Sequence, residues 1–255
     1  MANTVFNNKV IEAKAKDLLT TGVNTRSLMT IDTSLTQNAG MTKTINVYNY
    51  TGEAEELAAG EGNTARGAIS YTGTDYTVKM VQHPFPYHDE DFMKDNTVVD
   101  NGLKGATQTM TNKMTADFIA ECEKATLSHT AALSYEAIVD AIAKMNIEDE
   151  SGLFVIVNPE GKAALRKDED YKIARMGEVV YNGQVGTIAG IPVIVSKAVD
   201  KAYVMSKEAV KLFIKKDVEV EQDRDADTRT NTIYLRSAYV VALVDATKIC
   251  KIVEA

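Results

Sequence analysis

Tryptophan is absent from this chain, and proline, histidine and cysteine are scarce: four, three and two residues among 255. Two cysteines, Cys122 and Cys250, far apart and each in an apolar context, exclude a disulfide-stapled scaffold. They suit free buried thiols in a reducing compartment. No long hydrophobic run is present either. The longest, Tyr239 to Val244, is far too short to cross a bilayer. The start, MANTVFNNKVIEAKAKD, lacks the basic opening and apolar stretch of a signal peptide, so the expectation is a chain made in a cytoplasm without such a peptide. Positive charge is short as well: 28 Lys and Arg against 36 Asp and Glu leave a net charge of −8. A protein that grips nucleic acid through clustered cations is thereby excluded, although one that merely surrounds nucleic acid is not. What the chain does have is 45% hydrophobic residues and enough length to bury a substantial core.

Periodicity divides the chain. Residues 9–21 carry a short helical pattern with Val10, Leu18 and Leu19 apolar, closed by Gly22. A polar, Thr-rich connector leads to about Gly40. From Thr42 to Gln82 the text is strand-like and interrupted by the Gly- and Ala-rich stretch EAEELAAGEGNTAR, which predicts a long two-stranded excursion. In its first strand Ile45 and Val47 share one face, and Tyr48 and Tyr50 are assigned to the other. In its second, Tyr76, Val78 and Met80 alternate with polar residues. Leu103, Ala106, Met110, Met114, Phe118, Cys122 and Ala125 recur at steps of three and four, predicting one helix over 99–126, roughly 40 Å long. Gly102 and Gly105 weaken its first turns. Beyond it, helix and strand alternate: a helix over 134–146 capped by Ser134, a buried strand at 153–159 and a helix at 159–167 opened by Pro159. Two short strands joined at Gly190 follow within 183–197, and then a strand-rich remainder to the end.

Each candidate for chemistry has a plainer reading beside it. HPFPYHDEDF (83–92) holds His83, His88 and three consecutive acids, the ingredients of a metal-dependent hydrolase. Pro84 and Pro86 prevent a helix from setting both histidines on one face, so a proline-stiffened corner is the expected role. Asp223, Asp225 and Asp227 begin a calcium-loop pattern, but Thr228 and Tyr234 stand where Gly and Glu are required. Those acids are expected to line a solvated strand edge. Gly62 and Gly67 have phosphate-loop spacing without the Lys-Ser/Thr that must follow. Cys122 falls within the helical stripe, as a core thiol does, and His129 is expected at a helix end. No catalytic, cofactor-binding or metal-ligating residue is therefore assigned, and no cofactor is expected.

A hairpin of this length cannot form a core of its own, and neither can the first 30 residues, so both call for support from outside the subunit. In that order of arm, hairpin, long helix and mixed body, the chain resembles the major capsid proteins of tailed bacteriophages, the Hong Kong 97-like fold. Val157-Asn158-Pro159 before a short helix, the run Gly183 to Ser196 (GQVGTIAGIPVIVS), Ala202 to Met205, Lys211 to Ile214 and the closing RSAYVVALVD are similar to segments of that family. The resemblance implies an α+β chain with an N-terminal arm (1–41), an extended β-hairpin or E-loop (42–82), a peripheral domain with a spine helix (83–128, helix 99–126), an axial domain (129–214), and strands returning to the peripheral domain with a C-terminal strand (215–255). It implies a non-enzymatic subunit of an icosahedral capsid that self-assembles into hexamers and pentamers around double-stranded DNA. The implied partners are further copies of itself, scaffolding and portal proteins and decoration proteins, with no membrane. The implied place is the virion, after assembly in the bacterial host cytoplasm. The same fold also serves encapsulin-type nanocompartment shells, which enclose enzymes instead of DNA.

Overall fold

The computed structural model describes residues 10–15, 25–37, 39–64, 66–169 and 187–254. Its strands form three sheets. A four-stranded sheet has the order β1-β10-β11-β4, built from β1 (Thr30–Asp32), β4 (Lys79–His88), β10 (Val210–Asp225) and β11 (Thr230–Leu243). A six-stranded sheet has the order β5-β12-β9-β6-β8-β7, from β5 (Leu127–Thr130), β6 (Leu153–Val157), β7 (Thr187–Ile188), β8 (Ile191–Val195), β9 (Ala202–Ser206) and β12 (Ile249–Val253). The remaining two, β2 (Thr42–Thr51) and β3 (Ala68–Thr77), pair only with each other.

One helix joins the two larger sheets. The α-helical elements are α1 (residues 10–15), α2 (Asp89–Lys94), α3 (Val98–Cys122), α4 (Tyr135–Met145) and α5 (Pro159–Lys167). The stripe read from the sequence is the buried face of α3 and of Ala125 just beyond it. Its first half, Val99, Leu103, Ala106 and Met110, packs on Val218, Val220, Ile233 and Leu235 of the four-stranded sheet. Its second half, Met114, Phe118 and Cys122, lies where that sheet meets Phe154, Ile156, Tyr203 and Met205 of the six-stranded one. β6 is apolar at every position because both its faces are covered. Phe154 and Ile156 face α3, while Leu153, Val155 and Val157 face Ile138, Ala141 and Ile142 of α4 and Leu165 of α5.

Local chemistry sets the ends of these helices. Ser134 accepts the Ala137 N–H at the start of α4, Asn158 accepts the Gly161 N–H at the start of α5, and Asn146 ends α4 in the left-handed region at φ 50°. The turn joining β7 to β8 uses two left-handed residues, Ala189 and Gly190. The glycine-bearing stretch 183–186 and the region 16–24, with Leu18, Leu19 and Gly22, lie outside the described residues.

Five sequence expectations need correction. The first 30 residues are expected to need support from outside the subunit, but Ile11, Ala15, Leu28 and Met29 are buried in its own core and Thr30 begins a strand paired with β10. Val10 is exposed; Ile11 and Ala15, one turn apart, are the residues that α1 buries beneath α3. The excursion ends at Thr77, not Gln82. Val78 donates its N–H to Met41 O, and from Lys79 the chain pairs with β11. Val78 is consequently buried while Met80 is exposed, although simple alternation puts both on one face. His83–His88 is no corner but the body of edge strand β4, with Pro84 opposite Tyr234 and Pro86 opposite Thr232. An edge strand tolerates proline wherever the missing N–H would face away from its partner. His129, finally, lies within β5 opposite Ile252, not at a helix end.

The two glycines of α3 behave differently. A Cβ on Gly102 would fall 1.8 Å from the Phe85 ring, whereas one on Gly105 meets nothing within 4 Å. Gly102 is thus a socket that lets β4 lie against the helix, and Gly105 is merely a poor helix former. Gly105→Ala should stabilise by about 0.5–1 kcal/mol. Gly102→Ala should destabilise by about 1–3 kcal/mol, since displacing a packed ring outweighs the gain in propensity. Thermal unfolding of the two variants, with melting points moving in opposite directions, is the check.

Candidate assembly surfaces

The residues that looked chemical in sequence are dispersed or used as struts. His83 and His88 are five apart on one strand and so lie on opposite faces, with His83 half-buried and His88 exposed. Among the described residues no group of three or more His, Cys, Asp or Glu side chains could hold a metal ion. The hydrolase reading of His83 and His88 therefore fails on geometry. His88 Nδ1 lies 3.1 Å from the Thr230 hydroxyl. Asp89 accepts from Arg224 at 2.7 Å and from Asn231 at 2.6 Å, and Glu90 pairs with Arg229 at 3.1 Å. Asp89 and Glu90 thus tie α2 to the far end of the β10–β11 hairpin. Asp225 closes that turn, accepting from Asp227 N–H and Thr228 Oγ1, and these bonds hold its carboxyl below the usual range.

Other polar groups follow the same pattern. Burial, with the neighbouring charges of Glu121 and Glu123, pushes the Cys122 thiol far up, leaving it without nucleophilic character. Glu123, at the end of α3, accepts from Lys201 at 2.8 Å and from the Tyr203 hydroxyl, while Lys251 donates to its backbone carbonyl at 3.1 Å. Those two side-chain bonds hold the Glu123 carboxyl below its ordinary value; burial and the bond to Glu123 push the Tyr203 phenol up. The cluster pins the helix end to β9 and β12. Two open clefts, one beside α5 and Leu133 and one beneath the hairpin foot at Tyr76 and Lys124, present no nucleophile paired with a base. No helix among the described residues is long and apolar enough to cross a membrane.

The unusual surface is the β2–β3 hairpin. Its register places Tyr48 opposite Tyr71 and Tyr50 opposite Ile69, all four on one face. Tyr48 and Tyr71 lie with ring centroids 5.9 Å apart. The other face carries Ile45 and Tyr76, which pack at the foot onto Phe213, Val240 and Ala242 of the body. Tyr76 also donates to Leu243 O at 3.0 Å. The hairpin is thus anchored through one face at its base, and the aromatic face of its outer half is left bare. Tyr48, Tyr50, Ile69 and Tyr71 are 63%, 67%, 67% and 69% exposed. Soluble monomers rarely show such contiguous apolar patches, which mark surfaces covered by a partner. Tyr48 and Tyr50 were visible as one face in the sequence, but Ile69 and Tyr71 joined them only through the pairing register. Beyond this face the tip carries Glu53, Glu55, Glu56 and Glu61.

Comparison with known proteins agrees with these surfaces. The family described as phage capsid protein matches residues 71–252. The major capsid protein of Staphylococcus phage phiMR11 is 26% identical over 241 residues, covering 89% of this chain and 86% of that one. Among solved structures, the capsid of cyanophage P-SCSP1u is similar with a TM-score of 0.72 at 13% identity, over 89% of this chain and 86% of its own. The virus-like particle from Pyrococcus furiosus is similar with a TM-score of 0.66 at 12% identity, over 96% and 98% of the two chains. At those identities the structures speak for the fold alone, whereas the family match spans most of the chain. A hairpin with an uncovered aromatic face, a long helix joining two sheets, and polar groups spent on struts fit what that match states: the chain belongs to the phage capsid protein family and is a structural, non-enzymatic subunit of a virion capsid.

Proposed function

We propose that this subunit closes an icosahedral shell of hexamers and pentamers around packaged double-stranded DNA. In this reading residues 129–214, which hold α4, α5 and most of the six-stranded sheet, are the axial unit at the symmetry axes. The four-stranded sheet with α3 is the peripheral unit, and the described part of the expected arm belongs to it, since Ile11 and Ala15 pack under α3 and β1 pairs with β10. The hairpin lies over an adjacent copy and buries Tyr48, Tyr50, Ile69 and Tyr71 there; the bare aromatic face is the observation that carries the proposal. The net charge of −8 supports enclosure without adhesion, because a container of net negative charge does not hold its polyanionic contents in place. Scaffolding, portal and decoration proteins are the further partners of this reading, and the host cytoplasm is where assembly occurs.

Light scattering with negative-stain imaging of the purified chain, across salt and protein concentration, is the test. Shells, tubes or discrete hexamers and pentamers are expected. A 27.8 kDa monomer at every concentration, with or without an added scaffold, would sink the proposal. The encapsulin-type compartment implied by the sequence resemblance is the other shell use of the fold. Nuclease-protected DNA inside particles purified from the native source is the expected content, and packaged protein alone would favour the compartment.

A further inference from the structure

An isolated two-stranded ribbon is marginal in water, so the hairpin's behaviour before assembly depends on what its own residues supply. Two devices sit at its outer end. The Glu55 carboxylate closes the tip: Oε2 accepts the Thr64 N–H at 2.8 Å and Oε1 accepts the Thr64 hydroxyl at 2.5 Å. Both bonds are charge-assisted and reach across the loop from one arm to the other. Below them the ribbon narrows at a glycine pair. A Cβ on Gly52 would stand 2.7 Å from Gly67 Cα, and one on Gly67 would stand 2.1 Å from the Tyr50 hydroxyl. The strands therefore approach more closely than any side-chain-bearing residue permits, and the Tyr50 ring lies across the notch. The ten residue pairs between notch and foot run without a bulge.

We propose that the hairpin is already ordered in the free subunit, locked at its tip by Glu55, and meets its neighbour as a preformed prong instead of folding upon it. The inference rests on the reading that the hairpin docks on a second copy, but its content is a property of the single chain. Preorganisation removes the ordering cost at the moment of contact and leaves the aromatic face displayed for capture.

Hydrogen–deuterium exchange of the full-length chain, diluted until light scattering shows monomer only, tests it. Peptides covering 42–51 and 68–77 should exchange at least about tenfold more slowly than an unstructured chain, and Glu55→Ala should remove most of that protection. Peptides from β6 and β9 report in the same sample whether the body has stayed folded. Gly52→Ala, which pushes the strands apart at the notch, should act as Glu55→Ala does. Free exchange of the hairpin in the wild-type monomer would overturn the proposal, as would full protection retained in both variants. Shells formed by a subunit whose hairpin exchanges freely would leave the capsid reading standing without this one. A protected hairpin on a chain that never assembles would do the reverse.

Discussion

A chain carrying both Ile69→Ser and Tyr71→Ser should fold as the parent does and form no shells. Both side chains stand on the outer face of the hairpin, two-thirds exposed, and neither touches the core. Their loss therefore costs the body almost nothing; cross-strand pairing with Tyr50 and Tyr48 is weakened by about 0.2–1 kcal/mol per pair. Covered by a neighbour, each contributes about 1.5–3 kcal/mol. Losing both therefore weakens every hairpin contact by about 3 kcal/mol or more, and 1.4 kcal/mol is a factor of ten. The concentration needed for assembly should rise about 100-fold or beyond, because every subunit in a closed shell both gives and receives the same contact. Ser70→Ala with Thr72→Ala, on the opposite face of the same strand, is the control and should assemble normally. Size-exclusion chromatography with electron microscopy reads assembly, and thermal unfolding reads the fold. Normal shell yield from the double serine variant would remove the aromatic face from the interface.

That surface was only half legible in the sequence, for a physical reason. Alternating apolar residues state that a strand has one face hidden from water, not what hides it. Tyr48 and Tyr50 were assigned to one face of their strand, and only the pairing register, with the foot packed through the other face, shows that nothing described in the subunit covers them. Local signals did better. The α3 stripe, the Ser134 cap, Pro159 at the start of α5 and the turn at Gly190 were readable because each is settled within a few neighbouring residues. The break at Val78 was not readable. It is a change of partner, from the hairpin to β11 some 160 residues downstream, and period-two alternation continues through it on paper. His129 was misplaced for the same reason: what makes it a strand residue is β12, the last strand of the chain. In the motif at 83–92, prolines suggested a corner because the sequence does not say that this strand occupies an edge, where an absent donor costs nothing.

Phe118→Ala should instead impair assembly by destabilising the subunit itself. Phe118 is 1% exposed and stands on α3 at the level where both large sheets converge, among Phe154, Tyr203, Leu212 and Tyr239. No single element can close over the space it would leave, since its walls belong to two sheets with different registers. Collapse would require them to shift relative to each other. Truncation at such a site belongs at the upper part of the about 3–5 kcal/mol range for a buried phenylalanine. Against a total stability of about 5–15 kcal/mol, that takes about a quarter or more of what holds the chain folded. The urea midpoint should fall accordingly while the slope of the transition stays unchanged, because the same surface is exposed on unfolding. Phe118→Leu, which keeps most of the volume, should retain more than half of the lost stability. Contrast with the hairpin variant is what separates the two roles. The serine double variant should give a stable monomer that does not associate, whereas Phe118→Ala should give a chain whose assembly returns on cooling or with a stabilising osmolyte. A Phe118→Ala subunit with an unchanged urea midpoint would mean that α3 does not clamp the two sheets together as its packing indicates.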